Sequence, residues 1–109
     1  MKLGIAGDIA FSGLISTDSR RNDERFAWLA EELGICDGLI ANLEAPVVAD
    51  ERNSGKRAFL FADPDVMSSL LAKLKVVCVS LANNHILDCG REGLANTLGL
   101  LDKNGIFHS

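Results

Sequence analysis

Cysteine and long apolar runs are both scarce in this sequence. The three cysteines form no C-x-x-C pair, so a disulfide framework or a zinc knuckle is poorly supported and we interpret them as reduced thiols. No apolar stretch approaches the ~20 residues of a membrane span, and residues 1–6 lead directly into a motif instead of a signal sequence. The sequence therefore predicts a cytoplasmic protein without a membrane span.

An excess of positive charge is also missing. Eleven Lys and Arg stand against fifteen Asp and Glu, for a formal net charge of −4, so no basic surface would concentrate nucleic acid or anionic lipid. Neither G-x-G-x-x-G nor G-x-x-x-x-G-K-[ST] follows an apolar run, which leaves a nucleotide-binding α/β domain without support. The 109 residues are 48% hydrophobic and 24% charged, which is the composition of one globular domain.

Short apolar runs alternate with amphipathic segments along the chain. The pattern predicts strands at 2–6, 38–43 and 76–81, and a fourth that opens with Ile106 and Phe107. It predicts helices from a cap at Asn22 to Gly34, from a cap at Asp63 to Leu74, and from Arg91 to Lys103 with Asn104 and Gly105 as the stop. This order predicts an α/β fold with a mainly parallel sheet, right-handed crossovers and helices on its faces.

Three further expectations concern single segments. Residues 46–56 have the composition of a polar loop, and residues 58–61 of a short extended piece. The run at 76–81 is apolar and β-branched, as is typical of a parallel strand covered on both faces. Because the fourth strand begins just before the last residue, we expect the 109 residues to be a truncated N-terminal part of one longer domain.

Polar residues follow three of the predicted strands. Asp8 follows the first, Asn42 and Glu44 end the second, and Asn83-Asn84-His85 follows the third with Asp88 beyond it. The carboxyl ends of parallel strands meet at one edge of a sheet, where ligands bind. Carboxylate and amide oxygens suit Mg²⁺ or Mn²⁺, and together with imidazole they also accept iron or zinc. The sequence therefore predicts a polar edge able to hold a metal ion.

Each of these residues also has a plainer interpretation. Asp8 can be a turn residue, Glu44 a solvated side chain, and the two asparagines a loop that tolerates left-handed backbone. His85 can be an ordinary loop histidine, but it is also the one group here that can exchange protons near neutral pH, and we favour this catalytic role. Asp88 can orient the His85 ring or cap the helix that follows it.

Three motifs in this order resemble those of a known protein family. Residues 80–94 read S-L-A-N-N-H-I-L-D-C-G-R-E-G-L, which closely resembles the S-L-A-N-N-H-x-x-D-x-G-x-x-G-L signature of the CapA family, the poly-γ-glutamate capsule synthesis proteins. Gly7-Asp8 and the A-N-L-E-A-P of residues 41–46 resemble two further motifs of that family. Together the three motifs span nearly the whole chain.

The resemblance implies a fold and a set of site residues. CapA-like proteins resemble calcineurin-type metallophosphoesterases, so the chain would form the N-terminal half of an α/β/β/α sandwich that holds two divalent ions, of Mn, Fe, Zn or Mg. By this resemblance the metal ligands are Asp8, Glu44 as a bridging carboxylate, Asn84 and Asn42. His85, as the partner of the leaving group or transition state, and Asp88 are the catalytic residues.

Two departures from the wider superfamily follow from the same resemblance. The superfamily has Asp-x-His at the first motif, whereas this chain has Asp8-Ile9-Ala10, so one imidazole ligand is absent. The later histidine ligands of the family belong to a C-terminal half that these residues do not include. The 109 residues would thus carry half a site, and we expect them to be inactive alone.

The resemblance leaves two functional interpretations open. The first is a metal-dependent phosphoesterase that acts on a phosphate ester or phosphoanhydride and serves capsule polymer synthesis. The second is a binding or assembly module, without catalysis, in a capsule-synthesis complex. The family resemblance is compatible with an association with the cell envelope, and neither interpretation implies a nucleic-acid partner.

Overall fold

Four strands alternate with helices along the chain, as the hydrophobic pattern predicts. The computed structural model describes residues 1–48 and 60–109. The strands are β1 (Leu3–Ile9), β2 (Gly38–Leu43), β3 (Val76–Ser80) and β4 (Phe107–His108). The helices are α1 (Leu14–Thr17), α2 (Asn22–Glu32), α3 (Pro64–Lys73) and α4 (Gly90–Lys103), with 3₁₀ turns at Ser19–Arg21 and Leu33–Ile35. Most of the predicted loop at 46–56, and half of the extended piece at 58–61, lie outside the described residues.

The sheet is entirely parallel, and its spatial order is β1-β2-β3-β4. The predicted α/β fold with a parallel sheet is therefore confirmed. Each crossover moves one strand in the same direction, so right-handed crossovers place the helices on a single face of the sheet. The buried side chains agree with this arrangement, since the core joins Leu39 and Val79 of the strands to Leu71 of α3 and Leu101 of α4.

The prediction that β3 is covered on both faces is wrong for the described residues. Val76 and Val79 are buried, but Val77 and Ser80 are exposed. The helices cover one face only, so the opposite side of β3 is open. The register also shows a bulge: Leu39 pairs with Val76 and Ile40 with Cys78, so Val77 is an extra residue in the ladder. A continuous apolar run can therefore contain a bulge, which periodicity alone does not reveal.

Of the two predicted N-caps, Asp63 caps its helix and Asn22 does not. Asp63 caps α3 as predicted, because its Oδ1 accepts hydrogen bonds from the backbone N–H groups of Asp65 at 2.9 Å and Val66 at 3.0 Å. Asn22 is not the predicted cap: it is the first residue of α2, is buried, and donates from Nδ2 to the Ile15 carbonyl at 2.7 Å. Its amide thus holds the preceding segment against the helix.

The other helix ends are close to the predicted ones. α2 ends at Glu32, and a 3₁₀ turn that contains Gly34 follows it. α4 ends at Lys103, and Gly105 then adopts a left-handed φ of 67° that a residue with a Cβ avoids. Among the helices in the described part of the chain, none has the length and apolar character needed to cross a bilayer.

Candidate functional site

A bulge in β1 brings Asp8 beside Asn42 at the carboxyl edge of the sheet. Ile5 pairs with Ile40, but Asp8 pairs with Asn42, so β1 uses three residue steps where β2 uses two. In a regular strand Asp8, three residues beyond Ile5, would point to the opposite face, because successive side chains of a strand alternate. The bulge re-aims Asp8 to the same face as Asn42, and Asn42 Nδ2 donates a hydrogen bond to Asp8 Oδ1 at 2.7 Å.

Asn83 continues this contact to the end of β3. Its Nδ2 donates to Asn42 Oδ1 at 3.1 Å and to the Leu43 carbonyl at 2.8 Å. Its Oδ1 accepts the backbone N–H of His85 at 3.0 Å. The carboxyl ends of β1, β2 and β3 are thus joined by side-chain hydrogen bonds that run from Asp8 through Asn42 and Asn83 to the His85 backbone.

The His85 ring is paired with Asp88. Nδ1 of His85 lies 2.8 Å from Asp88 Oδ2, and since an ionised carboxylate only accepts, Nδ1 carries the proton and Nε2 remains for another partner. Asp88 Oδ2 also accepts the backbone N–H of Leu60 at 3.3 Å. The residue at the N-cap of α4 is Cys89, which makes no side-chain capping bond. Asp88 was expected either to orient the His85 ring or to cap α4, and its geometry matches the first alternative.

Cys89 lies next to this pair but is chemically shielded. The side chain is buried, and its thiol donates to the Leu60 carbonyl with an Sγ–O distance of 3.7 Å. Burial raises the pKa of the Cys89 thiol above its usual range, and the nearby Asp88 carboxylate raises it further. Cys89 therefore stays a protonated thiol at neutral pH, unlike a reactive cysteine.

The backbones of Glu44 and Asn84 lie at the same edge of the sheet. The Glu44 N–H donates to the Ile9 carbonyl at 3.0 Å, which extends the β1–β2 ladder beyond the last strand residue. Asn84 stands between Asn83 and His85 and is exposed. Within residues 1–48 and 60–109, the Asn84 side chain makes no hydrogen bond.

The side-chain oxygens at this edge suit a hard cation, but few of them are available as metal ligands. Asp8 is an exposed carboxylate and Asn84 an exposed amide, and both offer the oxygen ligands that Mg²⁺ and Mn²⁺ prefer. Within the described ranges, no three His, Cys, Asp or Glu side chains come together as a metal-binding group. The two divalent ions therefore stay a prediction, and these residues fit a partial coordination sphere.

Two other features are separate from this edge network. His108 Nε2 lies 2.8 Å from Asp102 Oδ1, so the described residues contain a second His–Asp pair, between β4 and α4. A cavity of about 250 Å³ lies between the N-terminal parts of α2 and α3, with Asn22 and Asp65 among its lining residues. None of the predicted site residues lines it.

Sequence reasoning placed Asn83 at the polar edge but gave it no role of its own. Asn84 and His85 carried the predicted functions, and Asn83 was only their neighbour. The sequence did contain a signal for such a role. An asparagine side chain can both donate and accept hydrogen bonds, and Asn83 lies just beyond an apolar run. Which partners it reaches depends on β2, a strand about 40 residues earlier in the chain.

Comparisons with known proteins agree with these motifs. The sequence profile of the family described as bacterial capsule synthesis protein PGA_cap matches residues 2–109. Proteins named probable polyglutamine synthesis accessory protein, from the CDC 1551 / Oshkosh and H37Rv strains of Mycobacterium tuberculosis, are each 36% identical over 90 residues, which cover 77% of this chain. The aligned part is 23% of the length of each of these relatives.

The profile match extends over almost every residue, and it includes all three motifs on which the resemblance rests. The resemblance to the CapA family is thereby confirmed. The chain belongs to the family of bacterial capsule synthesis proteins described as PGA_cap.

Proposed function

We propose that the chain supplies the Asp8, Glu44, Asn84 and His85 part of the active site of a metal-dependent phosphoesterase that serves synthesis of a capsule polymer of the poly-γ-glutamate type. The observation that carries the proposal is the hydrogen-bonded edge, in which Asp8 is aligned through Asn42 and Asn83 with the loop that holds the His85–Asp88 pair. An aligned carboxylate beside an oriented imidazole is the arrangement that phosphoryl transfer to water uses.

The proposed roles follow from the atoms that each side chain presents. Asp8, Glu44 and Asn84, together with Asn42, would hold the metal, and a divalent ion bound there polarises the phosphoryl oxygens and activates a water. His85, held at Nδ1 by Asp88, presents Nε2 to the substrate. In this role His85 is doubly protonated: as the water oxygen bonds to phosphorus and the ester P–O bond breaks, Nε2 gives its proton to the leaving oxygen. The water releases one proton to solvent, and a proton from solvent then restores the Nε2–H.

The substrate class is a phosphate ester or a phosphoanhydride. Asp88 tunes this chemistry without touching substrate, because its Oδ2 faces His85 Nδ1 and the Leu60 N–H. The carboxylate accepts the Nδ1–H hydrogen bond and fixes the ring plane, as the partners of catalytic histidines do. His85 is the catalytic residue of this proposal, and Asp88 is a positioning residue.

The test is a comparison of metal content and hydrolysis in single variants of the longest encoded reading frame that contains this chain. Asp8→Ala is expected to lose metal and activity together. His85→Ala is expected to keep the metal and to lower turnover of an aryl phosphate about 10²- to 10⁴-fold, the usual contribution of a positioned acid or base. His108→Ala is the matched control, because it also removes a histidine paired with an aspartate at 2.8 Å, and it should leave turnover unchanged.

Two results would contradict the proposal. If His85→Ala hydrolyses the ester as the wild type does with normal metal content, His85 is a loop residue. If the metal-loaded wild type hydrolyses no phosphoester in a broad screen, the binding or assembly module without catalysis gains support. The mycobacterial relatives are named as accessory proteins of polyglutamine synthesis.

Metal binding by the 109 residues alone is a separate test. We expect calorimetric titration with Mn²⁺ to show weak binding, because the described residues contain no group of three His, Cys, Asp or Glu side chains around one point. Tight stoichiometric binding that Asp8→Ala abolishes would show that these residues are a sufficient metal site.

A further inference from the structure

The Asn83 side chain makes three hydrogen bonds at the described edge of the sheet. The Leu43 carbonyl can only accept, so the atom of Asn83 that faces it at 2.8 Å is the Nδ2 donor. The His85 N–H can only donate, so the atom that faces it at 3.0 Å is the Oδ1 acceptor. These two backbone groups fix the orientation of the Asn83 amide.

The orientation of Asn83 in turn decides that of Asn42. Since Nδ2 of Asn83 points at Asn42 from 3.1 Å, Asn42 must present its Oδ1 there, and its own Nδ2 is then directed at Asp8 Oδ1, 2.7 Å away. The opposite orientation of Asn42 would place its amide oxygen against the Asp8 carboxylate, where two acceptors repel each other. The bond donated by Asn83 Nδ2 thus keeps the Nδ2 donor of Asn42 directed at the Asp8 carboxylate.

We propose that Asn83 is a positioning residue that sets the amide of Asn42, and through it the carboxylate of Asp8, while it holds the backbone of His85 at the end of β2. This inference rests on the proposed function, in which Asp8 holds metal and His85 transfers a proton. Asn83 couples these two groups across three strands without contact to substrate.

A purely local function of Asn83 is the alternative to this proposal. The bond from the His85 N–H to Asn83 Oδ1 spans two residues and is an ordinary Asx turn, which shapes the loop whatever lies beyond it. The two bonds that Nδ2 donates to β2 are not needed for such a turn. A test must therefore distinguish the effect of the bonds that Asn83 Nδ2 donates from the effect of the bond that Oδ1 accepts.

The first experiment is a double-mutant cycle on Mn²⁺ affinity in the longest reading frame that contains the chain. Asn83→Ala is expected to weaken Mn²⁺ binding about 10- to 100-fold, as loss of a residue that orients a metal ligand does. In an Asn42→Ala background the same change should cost no more than about twofold, because Asn83 acts on Asp8 through Asn42. Equal losses in both backgrounds would overturn the proposal.

The second experiment needs no metal and no activity. In the metal-free 109-residue protein, Asp8→Ala is expected to shift the NMR signals of the Asn42 side-chain amide, because it removes the acceptor of Asn42 Nδ2. In an Asn83→Asp background this shift should fall to less than half, since aspartate keeps the Oδ acceptor for the His85 N–H and loses the donor to Asn42. An undiminished shift would contradict the proposal even if Asn83→Ala does not fold.

The two experiments separate failure of this inference from failure of the proposed function. If the wild type shows no metal binding that depends on Asp8, the proposed function fails, and the NMR measurement still decides whether Asn83 orients Asn42. Asn104→Ala is the matched control for both, because Asn104 Nδ2 also donates to a backbone carbonyl, that of Leu100 at 2.8 Å. It should change neither Mn²⁺ affinity nor the Asn42 signals.

Discussion

The two faces of the sheet differ in what covers them. On the covered face, strand side chains pack against the helices and are buried (Leu39, Leu43, Val76 and Val79). The open face carries Leu3, Ile5, Ile40, Cys78 and Phe107, of which Ile5 is 84% and Phe107 77% exposed in the described structure. Both faces are apolar, so composition does not distinguish them.

The candidate site belongs to the open face. Asp8 and Asn42 belong to the open face, since the register aligns them with each other and Asn42 is two residues beyond Ile40. The covered face supplies the stability that holds the strand ends in place, and the open face presents the polar edge. Stability and function should therefore respond to different substitutions.

The largest expected effect is on the covered face. Leu43→Ala should lower the free energy of unfolding by about 2–5 kcal/mol, because it leaves a cavity in a fully buried position. Ile5→Ala, the matched change on the open face, should change it by less than about 0.5 kcal/mol. Urea unfolding of both variants measures this, and equal losses would show that the open face is packed in solution.

The next effect concerns a buried polar contact behind the covered face. Thr97 Oγ1 accepts the backbone N–H of Val47 at 2.9 Å and donates to the Gly93 carbonyl at 2.7 Å. Thr97→Val should cost about 1–3 kcal/mol, because it keeps the shape and leaves the Val47 N–H buried without a partner. Thr97→Ser should cost less by urea unfolding, and Ser80→Ala on the open face should be neutral. An unchanged stability of Thr97→Val would contradict the importance of this bond.

A smaller effect is expected at the start of α3, a helix of the covered face. Asp63→Ala should lower stability by about 0.5–2 kcal/mol, since two N–H groups of the first turn lose their acceptor. Asp63→Asn retains an acceptor and should lose only a small part of this. Thermal unfolding followed by circular dichroism compares the two variants, and similar losses in both would assign the effect to charge instead of capping.

The smallest expected effect is a difference in thiol reactivity, without a change in stability. Cys78 is partly exposed on the open face, whereas Cys89 is buried and has a raised pKa. Iodoacetamide at pH 8 should therefore label Cys78 before Cys89, and labelling of Cys89 should accelerate as the pH rises, because only the thiolate reacts. Mass spectrometry of the peptides measures the rates, with labelling in urea as the control. Equal rates in the native protein would contradict the burial of Cys89.

Much of the fold could be predicted from the sequence because local chemistry decides it. Asp63-Pro64 predicts the start of α3, and Asn104-Gly105 predicts the end of α4. The prediction failed at Asn22, where the side chain bonds to the Ile15 carbonyl instead of the helix N-terminus. Local sequence specifies that Asn can cap a helix, but a partner from a preceding segment can compete for the same amide.

The order of strands and helices, and the polar residues that follow three strands, could be read from the sequence because hydrophobic period and capping residues act over a few neighbours. Three features depend on the assembled sheet: the helices lie on one face, a bulge turns Asp8 toward Asn42, and Asn83 reaches β2. Register and side-chain hydrogen bonds between strands depend on residues far apart in the chain, and a one-residue shift reverses every side chain that follows it.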